Sequence, residues 1–198
     1  MSERVYRILP NARAQNGPFL DFRIAKNVKD WNKLLPILNG ERSARNYRIE
    51  EFVVKRKDAC DWHYYLLSGS CGLISERLAE ILGDAVKVCF ELLPAKINDC
   101  SYRLLRHVAT IDCLDAEASD ALFAEDEPGK IMEIYRHAIR KDMLPDPCFF
   151  VMPQLPHFVY ATQSVKRDVE AAKLKGLYFI DAEVWFDAIT YSYEKPSE

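Results

Sequence analysis

The stretch Ile74–Gly83 (ISERLAEILG) is the clearest element of the sequence, and it decides the fold class. Ser75 is a favourable helix N-cap, and Leu78, Ile81 and Leu82 fall on one apolar stripe at helical spacing. Gly83 is placed to end the helix, since glycine readily adopts a left-handed conformation there. The residues that follow, 86–92, alternate as in a half-buried strand that we expect to stop before Pro94.

A second helix–strand unit is predicted near the C-terminus. Thr162 can cap a helix whose apolar face continues through Val165 and Val169, and Gly176 leads into the apolar stretch 177–180. The two units resemble a faint internal repeat. Any amphipathic helix that precedes a strand has this pattern, however, and two copies do not make a solenoid, so the repeat is the less favoured interpretation.

The remaining segments complete an α+β pattern. The first forty residues are expected to be irregular, broken by prolines and glycine, apart from a short helix after Asp30. Periodicity leaves 131–139 open between helix and strand. Apolar and aromatic residues predict strands over 47–55, 62–67, 102–114 and 149–151. Together these elements predict a mixed, largely antiparallel sheet with flanking helices.

Length and composition predict one soluble domain over residues 1–198. The chain has 49% hydrophobic and 29% charged residues, enough to bury one sizeable core. Its apolar runs are shorter than the ~18 residues of a membrane-spanning helix, and the N-terminus lacks the apolar run of a secretory signal. The six cysteines are widely spread, which favours reduced thiols in the cytoplasm over a disulfide scaffold. Cys89, within an apolar run, is expected to be a small core residue.

Charge is distributed unevenly along the chain. The net charge of −3 combines a basic part, residues 1–58, with an acidic remainder. The densest acidic segment is 112–133, with eight carboxylates and a single lysine. Nucleic-acid binding requires basic residues gathered on one face, so this composition disfavours it. The acidic segment has two interpretations, a solvated loop or a patch that binds a basic protein, and charge alone favours the solvated loop.

The motifs of cofactor and metal sites are missing from the sequence. The seven glycines do not form a phosphate-binding loop. Two sets of residues are close enough in sequence to suggest metal ligands, but neither has the spacing of a zinc site. Glu125, Asp126 and Glu127 lack the alternation of a calcium loop. We therefore expect no metal and no cofactor. The two sets are Cys60, His63 and Cys71, and Cys100, His107 and Cys113.

Cys71 is the best candidate for a catalytic residue. It lies between a predicted strand and a predicted helix, where a helix N-terminus can stabilise a thiolate, and His63, His107 or His137 could serve as a base. The helix begins at Ser75, however, a turn too late for a strong effect, and the sequence does not position a base. We therefore expect a protein that is not an enzyme.

Several motifs, taken in order, resemble a family of bacterial immunity proteins. The Ile74–Leu78 helix start is followed by Phe90–Pro94, and Phe149-Phe150 precedes the second helix. Near the end of the resemblance, Gly176–Phe179 resembles the family's terminal G-L-x-F. A tyrosine-led strand running into an acidic segment lies between them and supplies further matches: Tyr102, Asp112, Leu114, Asp115 and Ser119. The sequence resembles, over about residues 65–186, family eleven of the polymorphic-toxin immunity proteins, earlier filed as a domain of unknown function.

The resemblance implies a function and one structural assignment. It implies a protein that binds a co-encoded toxin in the bacterial cytoplasm and neutralises it, as in bacterial competition, and it implies no catalytic residues. It also favours a strand over 131–135. Alternatives are a Cys71-dependent hydrolase, a small-molecule-binding domain and an immunity protein that reverses a modification made by the toxin. If the toxin is basic, the predicted contact residues are Asp115, Glu117, Asp120, Glu125, Asp126 and Glu127.

Overall fold

The computed structural model of the chain describes residues 4–10, 23–24, 31–47, 50–53, 60–64, 72–127 and 130–184. The helices in these ranges are α1 (Trp31–Leu38), α2 (Glu76–Leu82) and α3 (Gln163–Ala171). The strands are β1 (Val5–Pro10), β2 (Arg23–Ile24), β3 (Glu50–Val53), β4 (Trp62–Tyr64), β5 (Gly72–Ser75), β6 (Phe90–Ile97), β7 (Cys100–His107), β8 (Asp120–Phe123), β9 (Ile131–Arg136), β10 (Phe149–Met152), β11 (Leu155–Thr162) and β12 (Leu177–Asp181).

The described strands form three sheets. A six-stranded sheet has the order β2-β3-β6-β7-β5-β4, a four-stranded sheet has the order β10-β11-β1-β12, and β8 and β9 form a two-stranded sheet. All neighbouring pairs are antiparallel except β3 and β6, which are parallel. The predicted α+β class with a mixed, largely antiparallel sheet is confirmed.

The predicted strand at 86–92 is wrong at both of its ends. Residues Val86–Val88 form a 3-10 helix, and Val86 and Cys89, three residues apart, are both fully buried. That spacing is the period of a 3-10 helix. The residue types Val86, Lys87 and Val88 alternate as in a strand, but Val88 is exposed. Strand β6 then continues through Pro94 to Ile97, with Pro94 opposite Arg103. The Pro94 carbonyl accepts a hydrogen bond of 2.9 Å from the Tyr47 hydroxyl.

A two-residue turn joins β6 to β7. Asn98 and Asp99 both have positive φ, 47° and 68°. This conformation matches the twist of an antiparallel hairpin, and asparagine and aspartate tolerate it better than most residues. The ladder that follows pairs eight residues of each strand without a register shift, so this hairpin is the regular centre of the six-stranded sheet.

The first forty residues are less irregular than predicted. Helix α1 is confirmed, but β1 lies between β11 and β12 in the four-stranded sheet. Val5, Tyr6, Arg7 and Ile8 are all buried. A strand covered on both faces does not alternate between apolar and polar residues, which explains why the sequence did not predict β1. Of the predicted breakers, Pro10 ends β1, whereas those at 17 and 18 lie outside the described residues.

The two predicted helix caps behave differently. The Ser75 hydroxyl accepts a hydrogen bond from the Leu78 amide, as predicted, and Gly83 follows the helix with a φ of 52°. Thr162 stands at the N-cap position of α3, but its side chain does not cap the helix. Its hydroxyl instead donates to Asp146 over 2.8 Å and accepts from the Cys148 amide over 3.0 Å. The predicted capping by Thr162 is therefore wrong, because Asp146 and the Cys148 amide compete for its hydroxyl.

The six-stranded sheet separates two apolar clusters. Adjacent residues of β7 belong to different clusters, Leu104 to the one beneath α1 and Leu105 to the other, as strand alternation requires. The larger cluster also contains the buried residues of α2, α3 and the four-stranded sheet. Cys89 is fully buried within it, which confirms the prediction of a core residue.

The other predicted strands are shorter than expected or lie only partly within the described residues. The 102–114 strand ends at His107, and β3 and β4 fall within 47–55 and 62–67. The strands at 149–151 and 177–180 are confirmed, and 131–135 is a strand, as the family resemblance implied. Within the described ranges, no helix has the length and apolar character needed to cross a membrane.

Candidate functional site

The acidic segment forms a turn and then the β8–β9 hairpin. Asp115 belongs to the turn, where its carboxylate accepts from the Ala118 amide over 3.1 Å and its carbonyl accepts from the Ser119 hydroxyl over 2.6 Å. Glu117 is exposed on the same turn. Asp115 therefore stabilises local structure, while Glu117 is left facing solvent.

The other predicted contact residues lie at the two ends of the hairpin. Asp120 begins β8, opposite Arg136 on β9. Glu125, Asp126 and Glu127 are exposed in the connection between the strands, and Glu127 pairs with Lys130 at 2.6 Å. Since a strand rises ~3.3 Å per residue, the four residues of β8 span about 10 Å between these two groups of carboxylates. The six predicted residues thus divide among the turn before the hairpin, the base of the hairpin and its tip.

Apolar side chains that no sequence motif indicates lie between these carboxylates. The hairpin packs Ala121, Ile131 and Ile134 against the main core. Leu122 and Met132, in contrast, are 53% and 59% exposed. Phe123 is 39% exposed as well. In a sequence, an exposed leucine or methionine cannot be distinguished from a buried one by residue type. The neighbouring carboxylates were the only signal in the sequence for this surface.

The base of the hairpin is anchored by a buried histidine. The Nδ1–H of His137 donates to the Ala182 carbonyl over 3.0 Å, and its Nε2 lies 2.8 Å from the Tyr160 hydroxyl. In this neutral tautomer Nε2 accepts the hydroxyl hydrogen. Burial, followed by the nearby charge of Arg7, lowers the pKa of His137 to about 4. The imidazole is therefore a neutral structural group at pH 7.

The described thiols are mostly buried. Cys113 and Cys148 are fully buried, and burial raises the pKa of each to about 12. Burial also raises the pKa of Cys89 and of Cys60, whose Sγ donates to the Trp62 carbonyl. These four groups are protonated at neutral pH and are weak nucleophiles. Cys71, the proposed nucleophile of the alternative hydrolase, lies outside the described residues.

A cleft of about 440 Å³ opens beside the start of α2. Its polar groups are largely engaged with one another: Asp61 accepts from the Ser75 hydroxyl and the Lys175 amide, and Glu76 pairs with Arg103. A binding domain for small molecules would have an enclosed apolar pocket with a few convergent polar groups. This open, polar cleft does not have that character.

The second candidate metal-ligand set, Cys100, His107 and Cys113, is not brought together; of the first set, Cys71 and the His63 side chain lie outside the part of the chain that the structure describes. Cys60 and Cys100 line the cleft, whereas Cys113 lies in the main core. His107 packs against the Phe90 ring at a centroid distance of 5.8 Å, and burial lowers the pKa of its imidazole. Among the residues that the structure describes, no three histidine, cysteine or carboxylate side chains are grouped to hold a metal ion.

Comparison with known proteins identifies the family. The search of curated proteins gave no match to this chain. The model of the immunity protein family Imm11 matches residues 50–184, from β3 to the end of the described residues. The match extends further toward the N-terminus than the motifs of the sequence had indicated, and it includes the β8–β9 hairpin. The chain therefore belongs to the Imm11 immunity protein family.

Proposed function

We propose that this protein binds a cognate bacterial toxin in the cytoplasm and neutralises it through protein–protein contact, without catalysis. The observation that carries the proposal is the family match over residues 50–184. We further propose that the chain acts as one domain. In support, β1 lies outside the matched range yet pairs with β11 and β12 inside it.

The exposed carboxylates support an electrostatic contribution to binding. Glu117, Asp120, Glu125 and Asp126 face solvent on one stretch of the chain, together with the ion-paired Glu127. Charges at the rim of an interface accelerate association with a partner of opposite charge. A basic toxin, such as a nuclease, is the partner that this surface fits. Asp115 is expected to contribute mainly by shaping the turn.

Non-catalytic action is supported by the state of the thiols. The buried cysteines have raised pKa values and are poorly placed to attack a substrate. Cys71→Ala tests the alternative directly. A variant that still protects cells excludes a mechanism that depends on this thiol, whereas loss of protection with unchanged binding to the toxin would indicate one.

The proposal is tested by co-expressing the chain with its cognate toxic domain, which we expect the neighbouring gene to encode. We expect restored growth and a complex that survives size-exclusion chromatography. Glu125→Lys and Asp126→Lys should each slow association by about tenfold at low salt and flatten its salt dependence. Glu80→Lys, an exposed change on α2, is the control. A chain that neither binds the toxic domain nor protects cells would refute the proposal.

A further inference from the structure

The β8–β9 hairpin differs from the rest of the surface in its apolar character. The described part of the chain exposes seven large apolar side chains, and three of them, Leu122, Phe123 and Met132, lie on these two short strands. Single exposed apolar residues are normal on a protein surface, but a group of them marks an interaction site. An acidic surface alone does not explain why three large apolar side chains are exposed together on this hairpin.

A β-bulge contributes to this exposure. Leu122 lies opposite Glu133 and Phe123 lies opposite Ile131, so Met132 is an extra residue on β9. Bulges re-aim side chains and occur preferentially at sheet edges and near functional sites. The bulge keeps Ile131 and Ile134 against the core while Met132 faces solvent.

Negative charge surrounds the apolar residues. Glu133 stands opposite Leu122, Asp120 lies at the base, and the carboxylates of residues 125–127 lie at the tip. Residues 120–136 carry five acidic and two basic side chains. Protein interfaces commonly have an apolar centre that carries most of the binding energy and a polar rim that excludes water. The hairpin has this arrangement.

The hairpin is also held in place at its base. The His137 amide donates to the Ala182 carbonyl over 2.9 Å, and the Ala138 amide donates to the Ser119 hydroxyl over 2.9 Å. A bridge between Leu114 and Ile139 lies just beyond. A preordered element loses less conformational entropy on binding than a flexible loop does.

We infer that the β8–β9 hairpin is the docking element for the toxin, with Leu122 and Met132 as its anchors. The occupant is a basic protein surface on which lysine and arginine side chains surround an apolar depression. The depression takes up the leucine and methionine side chains, and the basic residues face the carboxylates at the tip and base. This inference rests on the proposed function and adds to it the contact residues and the chemistry of the partner.

The test measures the affinity of the full chain for the toxic domain encoded by the neighbouring gene, by titration calorimetry. The double variant Leu122→Ser/Met132→Ser should raise the Kd by about thirtyfold or more, as expected for the loss of interface anchors. Its urea-unfolding midpoint should stay unchanged. Met143→Ser is the matched control, since Met143 is 52% exposed outside the hairpin. It should leave the Kd unchanged.

The outcomes separate this inference from the proposed function. If the wild-type chain binds and protects, and the double variant binds equally well, the hairpin is not the docking element and the proposed function stands. If the wild-type chain neither binds nor protects, both are overturned. If the double variant fails to fold, the single Met132→Gln variant decides the question, because it alters only the bulged, exposed side chain; an unchanged Kd would refute the inference.

Discussion

Two four-residue strands of this molecule, β8 and β10, have opposite environments. In β10, Phe149–Met152, every side chain is fully buried. In β8, Asp120–Phe123, every side chain except that of Ala121 is exposed. Both strands contain adjacent large apolar residues, and both belong to antiparallel hairpins.

The difference arises from what covers each strand. Phe149 contacts Trp62 and Phe90 at ring-centroid distances of 5.6 and 5.7 Å, and Phe150 stacks on Tyr160 at 5.6 Å. The β8–β9 pair is backed by the core on one side only. Similar apolar residues therefore serve the stability of the fold in β10, whereas in β8 they form an exposed apolar surface.

Truncating the buried strand should have the largest effect. Phe149→Ala is expected to lower the free energy of unfolding by about 3–5 kcal/mol, because it removes a ring packed among aromatic residues and leaves a cavity. Leu122→Ala should change it by no more than about 0.5 kcal/mol. Urea unfolding followed by circular dichroism measures both. Equal losses would mean that the two strands are not differently covered.

Acid should lower the free energy of unfolding, because His137 at the base of the hairpin is buried as a neutral imidazole. The folded-state pKa of His137, about 4, lies below the ordinary value of 6.5. The unfolded chain therefore gains a proton at this histidine as the pH falls from about 6.5 to about 4, and the folded chain does not. The contribution of His137 to the free energy of unfolding is fully present above this pH range. It falls by about 3 kcal/mol as the pH is lowered through the range.

This pH dependence is measured by urea unfolding at pH 7 and pH 4. A His137→Gln variant, which cannot titrate, should lack the contribution of about 3 kcal/mol. An NMR titration that gives a pKa near 6.5 for the His137 imidazole would contradict the explanation.

The smallest effect concerns the ion pair at the hairpin tip. Lys130→Gln should change the free energy of unfolding by no more than about 0.5 kcal/mol, because the pair with Glu127 is exposed. The same change should speed association with a basic toxin, since it removes a positive charge from the acidic surface. Lys87→Gln, in the similarly spaced pair with Asp84, is the matched control. Equal association rates for the two variants would argue against contact at the hairpin tip.

The sequence predicts elements whose signals are local. Ser75 caps α2 as expected because its hydroxyl has the helix amide within reach and forms its other hydrogen bond, to Asp61, as a donor. Thr162 has an equally good local pattern, yet its hydroxyl is taken by Asp146 and the Cys148 amide. Strand β1 was not predicted for a related reason, since its place in the four-stranded sheet depends on pairing with residues more than 150 positions away.

The candidate site was only half predictable. Its carboxylates form a visible charge cluster in the sequence, so Glu125 and Asp126 could be proposed without a structure. Leu122 and Met132 could not, because an apolar residue on a strand is normally part of the core. Their exposure depends on which face of the hairpin meets the core and on the bulge at Met132, and both are properties of the tertiary structure.

Amide hydrogen exchange of the wild-type chain, alone and with the toxic domain encoded by the neighbouring gene, tests the central claim most directly. We expect that binding slows exchange in residues 120–127 and 130–136 and leaves exchange in β10 and β11 nearly unchanged. Slowed exchange confined to other segments, such as those lining the cleft beside α2, with unaltered exchange in the hairpin, would contradict it.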